Sequence, residues 1–456
     1  MKKTLLSSLL FLASLGATAQ KEADNWYFGV NAGVSFSTGS AVTLTTGVMN
    51  APEGCAAISN SSGALLFYTD GVSVWNKNNV TMPNGLGLLG GNSTQSAVIV
   101  PKPGSNTLYY IFTIDEDAGV NGLSYSVVDM SLQAGLGNVT TAKNVAVLAP
   151  VTERITAVKD ASGNYWIAVH QWNTNAFNVY QLTSAGLQAP VVTNIGIKHS
   201  KAKVANAYGQ MKFNPCGNRL AVAAGYLDTV QVFDFNSTTG VLSNALTLPF
   251  PAHVYGIEFS ENSSRLYVSN YDANATLVQY DLTLGTAALI KASKTTLSTT
   301  PDIYSLQLAN NGKIYAAVSF NQFLAVINNP NTVGTGCSYV DQGLDLDPGS
   351  NGTTSGLGLP GFVQSYFKIS LCTTGIDEAK EIAAASIYPN PFKEQINVLL
   401  NISTEALVTI YTPEGKTVLS ETITGGKLFN TASFAKGMYF VNVKTINGEN
   451  NFKVVK

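Results

Sequence analysis

Three tyrosines stand at the same point of three successive strand units: Tyr208 in "AYGQ", Tyr255 in "VYGI" and Tyr304 in "IYSL". Earlier units carry Glu53, Gln95 and Glu153 at the corresponding place, with Arg154 beside the last. His253 precedes Tyr255 by two residues, so in an extended strand both project to one face. Aromatic faces combined with carboxylate, amide and imidazole groups suit stacking on, and directed hydrogen bonds to, a carbohydrate or a peptide. The bland alternative stays open beside this one: the same side chains could simply pack and seal the centre of the fold. A tight Glu153–Arg154–His253 grouping would point to acid–base chemistry, and a tyrosine-lined opening to binding.

Other reactive groups are scarce. The chain has three histidines, His170, His199 and His253, and no G-x-S-x-G, H-E-x-x-H, phosphate-loop or dinucleotide fingerprint. "DLDPGSNG", from Asp345 to Gly352, has a calcium-loop flavour, but Gly349 stands where a fifth-position oxygen ligand belongs and Pro348 stiffens the turn. An ordinary loop is expected there. No catalytic residue, metal or cofactor is assigned.

The elements that position these residues repeat. Six segments share a short apolar strand, a polar turn and a stronger apolar strand: "GCAAISNSSGALLFYTDG", "SAVIVPKPGSNTLYYIFTID", "ITAVKDASGNYWIAVHQW", "GQMKFNPCGNRLAVAAG", "GIEFSENSSRLYVSNYD" and "SLQLANNGKIYAAVSF". Their starts lie about 40 to 60 residues apart, the period of a propeller blade. The turns "NSSG", "DASG", "NPCGN" and "ANNGK" carry the Asn, Asp and Gly that tight hairpins need. "VQVFDFNSTTG" and "LVQYDLTLG" alternate with period two and read as third strands. The flanking "NWYFGVNAGVSFSTG" and "GLPGFVQSYFKIS" are strand-like but incomplete, so residues 25–45 are expected to pair with Phe362 to Phe367 and close a ring as a seventh blade. The fold class is all-β, a seven-bladed β-propeller over residues 25–369, followed by a small Ig-like β-sandwich.

Composition agrees. Charged residues make up 12 % of the chain, against about 25 % in an average soluble domain. A formal charge of −2 gives no electrostatic footprint for nucleic acid. Residues 1–19 read as a signal peptide, with Lys2 and Lys3, an apolar core from Leu5 to Leu15 and an Ala17-Thr18-Ala19 cleavage site. No later segment is apolar enough to span a membrane, so the exported chain is expected without a membrane span. Export permits disulfides. Four cysteines, Cys55, Cys216, Cys337 and Cys372, allow three full pairings. Cys337 with Cys372, which flank the end of the repeats, is the preferred one, and Cys55 reads as a small buried hydrophobe.

Residues 370–385, "SLCTTGIDEAKEIAAA", break the strand pattern and read as a linker. Alternation resumes after Pro389-Asn390-Pro391 and runs to the end in six or seven expected strands. "YPNPF", "YTPEGKTV", "GMYFVNV" and the terminal "KVVK", in that order, resemble the type A C-terminal sorting domain of the type IX secretion system, over residues 386–456. That resemblance implies handling by the type IX secretion machinery and a product that crosses the periplasm to be secreted or held on the outer cell surface. "RLYVSN", residues 265–270, resembles the YVTN-type repeat of WD-repeat-like propellers. "EGCAAISNSSGALLFYTDGVSVWN", "GNSTQSAVIVPKPGSNTLYYIFTID" and "GLGLPGFVQSYF" resemble the propellers of exported Bacteroidetes-type proteins. The likeness brings no catalytic motif. The function expected is an exported binding propeller for a glycan or protein ligand. The alternatives are a propeller enzyme (hydrolase, lactonase or lyase) working in the central channel, and a structural part of the cell surface or gliding apparatus.

Overall fold

The computed structural model describes residues 20–200, 202–250, 253–271, 276–299, 302–367, 385–400, 405–413, 415–445 and 448–456. The expected signal peptide and most of the expected linker fall outside these residues. The chain divides into two compact units, residues 1–372 and 373–456. Among the described residues both are all-β apart from short helical turns and the six-residue helix Ala287–Ala292.

Among the described residues the first unit holds seven sheets of four or five strands. Six follow the chain as meanders that begin with Cys55–Ser59, Ala97–Pro101, Val151–Lys159, Met211–Phe213, Val254–Phe259 and Ile303–Leu308. The hairpin turns form as their residue types dictate. In "NSSG" the Asn60 Oδ1 accepts the amides of Ser62 at 3.0 Å and Ala64 at 2.9 Å. In "DASG" the Asp160 Oδ1 does the same for Ser162 and Asn164, at 2.8 and 2.9 Å. The closing Gly63 and Gly163 sit at φ 88° and 86°, where a side chain would be strained.

The remaining sheet is N-terminal. It runs Val42–Leu44, Ala32–Ser35, Asn25–Val30, Asn50–Ala51, so the N-terminal strands pair mostly among themselves, with one antiparallel bridge from Val30 to Thr354 in the C-terminal segment. The expected pairing with Phe362 to Phe367 is not made. Instead Pro360–Gly361 lies parallel to Cys55 and Ala56, Val363 bridges Ala157, and Gln364–Phe367 forms a 3₁₀ turn. The reason is burial. Phe362, Val363, Tyr366 and Phe367 are each at most 4 % exposed and join the main core rather than a sheet edge. Glycine makes the approach possible: a Cβ on Gly358 would lie 2.0 Å from the Glu53 carbonyl oxygen.

The first strand of each sheet packs on that of the next, from Asn25–Val30 through to Ile303–Leu308. The first and seventh sheets also touch. The Thr43 hydroxyl donates to the Asp345 carbonyl at 2.6 Å, and Asn310 donates to the Asp24 carboxylate at 2.7 Å. Fully buried Trp26 joins both to the C-terminal segment, 5.7 Å from the Tyr315 ring and 5.9 Å from Phe362. Buried polar side chains stitch further sheets together. Gln210 Oε1 takes the amides of Ile257 and Leu306, and Lys212 Nζ meets Glu258 Oε2 at 3.0 Å and Gln307 Oε1.

Cys55 is free and buried, as expected. The expected Cys337–Cys372 pair is corrected: Cys337 is a free thiol, fully buried, with the Tyr267 hydroxyl as its polar neighbour. Cys216 is disulfide-bonded, and Cys372 falls outside the described residues. In the loop from Asp345, the Asp347 carboxylate is occupied by the amides of Asn351 and Gly352 and the Thr353 hydroxyl, at 2.5, 3.0 and 3.1 Å.

The second unit has a three-stranded sheet (Ala385–Tyr388, Gln395–Leu400, Gly426–Asn430) and a four-stranded one (Thr417–Thr424, Glu405–Tyr411, Met438–Thr445, Gly448–Val455). They share one core that includes Phe392, Ile396, Val408 and Val441. Its two end motifs clasp each other. Asn390 donates to the Lys453 carbonyl at 3.0 Å and accepts the Val455 amide at 2.9 Å. The Lys456 ammonium is held by the carbonyls of Thr431, Ala432 and Phe434.

Candidate functional site

The candidate residues sit where strands are irregular. The pairing register shifts between Val151 and Ile155, between Val254 and Ile257, and between Ile303 and Leu306. Such bulges re-aim side chains at the end of a strand. Glu153 and Arg154, Tyr255, and Tyr304 occupy those three bulges in turn.

Glu153 is buried, its carboxylate accepting the Thr94 amide and hydroxyl at 2.9 and 3.0 Å and the Asp117 amide at 2.7 Å. Burial raises its pKa, against the pull of these hydrogen bonds. Glu53, half-buried, is pushed up to about 8, first by desolvation and then by the charges of Glu153, Asp117 and Glu116. Tyr208 donates its hydroxyl to Asp117 Oδ1 at 2.7 Å. Burial and the neighbouring carboxylates raise the phenol pKa values of Tyr208 and Tyr255.

Beside these carboxylates is an aromatic cluster. Tyr255 and Tyr304 meet edge to face at 5.0 Å, Tyr271 stacks against Tyr304 at 5.6 Å, and His253 lies 5.6 Å from Tyr271 and 3.7 Å from Tyr226. Tyr226, His253, Tyr271 and Tyr304 are half-buried, whereas Tyr255 is 3 % exposed. The Tyr255 hydroxyl makes no hydrogen bond of good geometry among the described residues, although Thr94 lies beside it.

The structure thus brings together Glu53, Glu153, Tyr208, Tyr255, Tyr304 and His253 and separates two expected members. Gln95 turns inward, donating to the Met211 carbonyl at 3.2 Å and accepting its amide at 2.8 Å. Arg154 is fully buried. It donates to the carbonyls of Ala223, Asn206 and Tyr208 and to His199 Nδ1, which stacks on His170 at 3.8 Å. Desolvation lowers Arg154 to about 9 and His170 to about 3, so this imidazole pair is neutral at physiological pH. A Glu153–Arg154–His253 grouping therefore does not form. Tyr226, Tyr271, Glu116 and Asp117 were missed in the sequence. The first two follow the second strands in "AAGYLD" and "VSNYD", a recurrence visible one strand later than the one searched.

Glu53 carries a pH signature. Its folded-state pKa lies above the ordinary 4.5, so its contribution to stability is complete below about pH 4.5 and is lost as pH rises through about 8. Unfolding free energy should fall by roughly 2–4 kcal/mol from this group over that window. Glu53→Gln should flatten that part of the slope and stabilise the chain above pH 8. Urea titrations at pH 5, 6.5 and 8 check this, and parallel pH profiles for both chains would contradict it.

Residues 386–456 match the family described as the secretion system C-terminal sorting domain. The chain carries a type IX secretion sorting domain. The protein is accordingly secreted or displayed on the cell surface. Within the described residues no helix is long and apolar enough to cross a membrane. No curated protein matches the chain. Among solved structures, a 6-phosphogluconolactonase candidate from Bacteroides fragilis is similar at 10 % identity, over 75 % of this chain and 98 % of that one, with a TM-score of 0.49. A counterpart from Bacteroides uniformis gives 12 %, 73 %, 97 % and 0.44. The β-propeller domain of a Myceliophteria thermophila protein gives 11 %, 65 %, 94 % and 0.39.

Proposed function

We propose that this is an exported binding protein: a seven-bladed β-propeller that presents an aromatic and acidic mouth at one end of the ring and is delivered by an Ig-like sorting domain. The observation that carries the binding reading is the cluster of half-buried Tyr226, His253, Tyr271 and Tyr304 beside Glu53 and Asp117. An amphipathic ring left half-wet offers a stacking face to a ligand. Screening the exported chain on glycan and peptide arrays tests it. Retention of one chemically related set of ligands is expected, and an array without specific retention would count against binding. A second reading rests on Glu53, whose carboxyl is pushed up to about 8 by desolvation and by the charges of Glu153, Asp117 and Glu116, a direction that suits a general acid. Turnover of a lactone or glycoside abolished by Glu53→Gln would favour it.

The seven-sheet count and the contacts between first and seventh sheets support a closed ring. Deleting residues 25–45 removes Trp26 and three strands of the first sheet. The neighbouring sheets would then have open faces and unpaired edges. A lower and broader melting transition is expected. Cooperative melting at the parent temperature would contradict closure.

A further inference from the structure

We propose that Arg154, His170 and His199 form an acid-sensitive clamp: while both imidazoles are neutral the clamp holds residues 202–208, and protonation of either one releases them. Two contacts of the candidate site hang on that segment. Tyr208 donates its hydroxyl to Asp117 Oδ1 at 2.7 Å, and the Lys203 ammonium sits 5.3 Å from the centre of the Tyr226 ring. Arg154 reaches the segment from the irregular strand Val151–Lys159. Its Nη2 donates to the carbonyls of Asn206 and Tyr208, its Nε to that of Ala223 at 2.9 Å, and its Nη1 to His199 Nδ1 at 3.0 Å.

The geometry requires neutral rings. A guanidinium can only donate, so His199 Nδ1 must accept, and a proton there would set one N–H against another. His170 stacks on His199 with ring centres 3.8 Å apart and meets Phe177 edge to face at 4.6 Å. Both imidazoles are 0 % exposed. Neither nitrogen of His170, nor Nε2 of His199, makes a well-formed hydrogen bond among the described residues, although the Gln171 backbone lies beside His170. An imidazolium carries two N–H donors, and leaving them unsatisfied in the interior is costly.

The elements packed here contribute Arg154, Gln171, Phe177, Asn206 and Ala223. The charge that acts on both rings is that of Arg154, besides the effect of His170 on His199, and Glu153 acts on Arg154. Desolvation first, and then these cations, hold both imidazoles below the ordinary 6.5. With folded-state values below that figure, the clamp is fully effective above about pH 6.5 and weakens as pH falls beneath it. Each imidazole then makes opening about tenfold easier per pH unit, and the pair up to about a hundredfold. Such opening can stay local, because a connection can open well below the free energy of global unfolding.

The test is amide hydrogen exchange on the full chain at about pH 7.5, 6.5 and 5.5, corrected for the intrinsic exchange rate. The reporters are the amides of His199, Asn206 and Tyr208, which donate to the carbonyls of Thr174, Lys203 and Ala205 at 2.9, 3.1 and 3.2 Å. Expected is a loss of protection of about tenfold or more at these amides between the two lower pH values, with strand Ile314–Val318 unchanged. The variant His170→Phe/His199→Asn keeps a ring against Phe177 and an acceptor for Arg154 without a titrating group, and should flatten the profile. Protection in the parent that does not change with pH, an equal loss in Ile314–Val318, or the parent's profile in a variant folded by circular dichroism would each overturn the clamp. The first two are read on the parent alone, so they decide the matter even where the variant does not fold. The consequence for a ligand rests on the binding reading above. A flat parent profile removes the clamp and leaves the mouth standing, whereas arrays that retain nothing remove the mouth and leave the clamp.

Discussion

A chain ending at Cys372 should fold, melt as the parent's first unit does, and fail to reach the cell surface. The boundary between the two compact units lies between residues 372 and 373. Each unit has its own core: the sorting domain's centres on Phe392, Ile396, Val408 and Val441, and the first unit's clusters include none of these residues. Removing a unit with a separate core costs the other little. Delivery, by contrast, depends on residues 386–456. Surface protease accessibility in intact cells measures it. Loss of the surface population to background is expected, with the folded truncated chain retained in the periplasm. Surface delivery of the truncated chain would contradict the role of the sorting domain.

The second large effect lies in the interior of the first unit. Lys212 and Glu258, 1 % and 0 % exposed at their side chains, form an ion pair at 3.0 Å. Desolvation lowers the lysine pKa and raises that of the glutamate, and the pair opposes both shifts. Glu258 also accepts the amides of Phe259 and Leu308, each at 3.0 Å. Lys212→Met should therefore strand a buried carboxylate and cost about 3–5 kcal/mol. Adding Glu258→Gln removes the stranded charge and keeps an oxygen for one of the two amides, which bond to separate carboxylate oxygens, so the double variant should recover part of the loss. Urea denaturation resolves both. A single variant within about 0.5 kcal/mol of the parent would mean that the pair contributes no more than a surface contact.

The sequence made the repeats legible because strand and turn chemistry are local. Asn60 and Asp160 sit in the turns that their side chains dictate, and the third strands at Thr229–Asn236 and Leu277–Asp281 follow from alternation. Residues 360–367 misled because an apolar run signals burial without naming its partner. They went into the main core beside Cys55 and Ala157, while the N-terminal strands completed a sheet of their own. Within the candidate site, a residue's place at the start of a strand was readable, and its direction was not. Glu153 and Arg154 are adjacent in one bulge, yet one turns to Thr94 and Asp117 and the other to His199. Gln95 had the right position and the wrong direction. Cys337 was assigned from spacing alone, and spacing does not report that its thiol lies buried beside Tyr267.

The structure also changes which tyrosines test binding. Tyr255 is too deeply packed to remove without disturbing the core, whereas Tyr271 and Tyr304 stack at 5.6 Å and remain half-exposed. The direct measurement is a titration of the best array ligand with the parent chain and with the Tyr271→Ala/Tyr304→Ala variant, after circular dichroism has confirmed that the variant is folded. Each lost aromatic contact is worth about 0.5–1.5 kcal/mol, so a fall in affinity of roughly fivefold to 150-fold is expected for the pair. Unchanged affinity in the folded variant would contradict the claim that this mouth is where the protein binds.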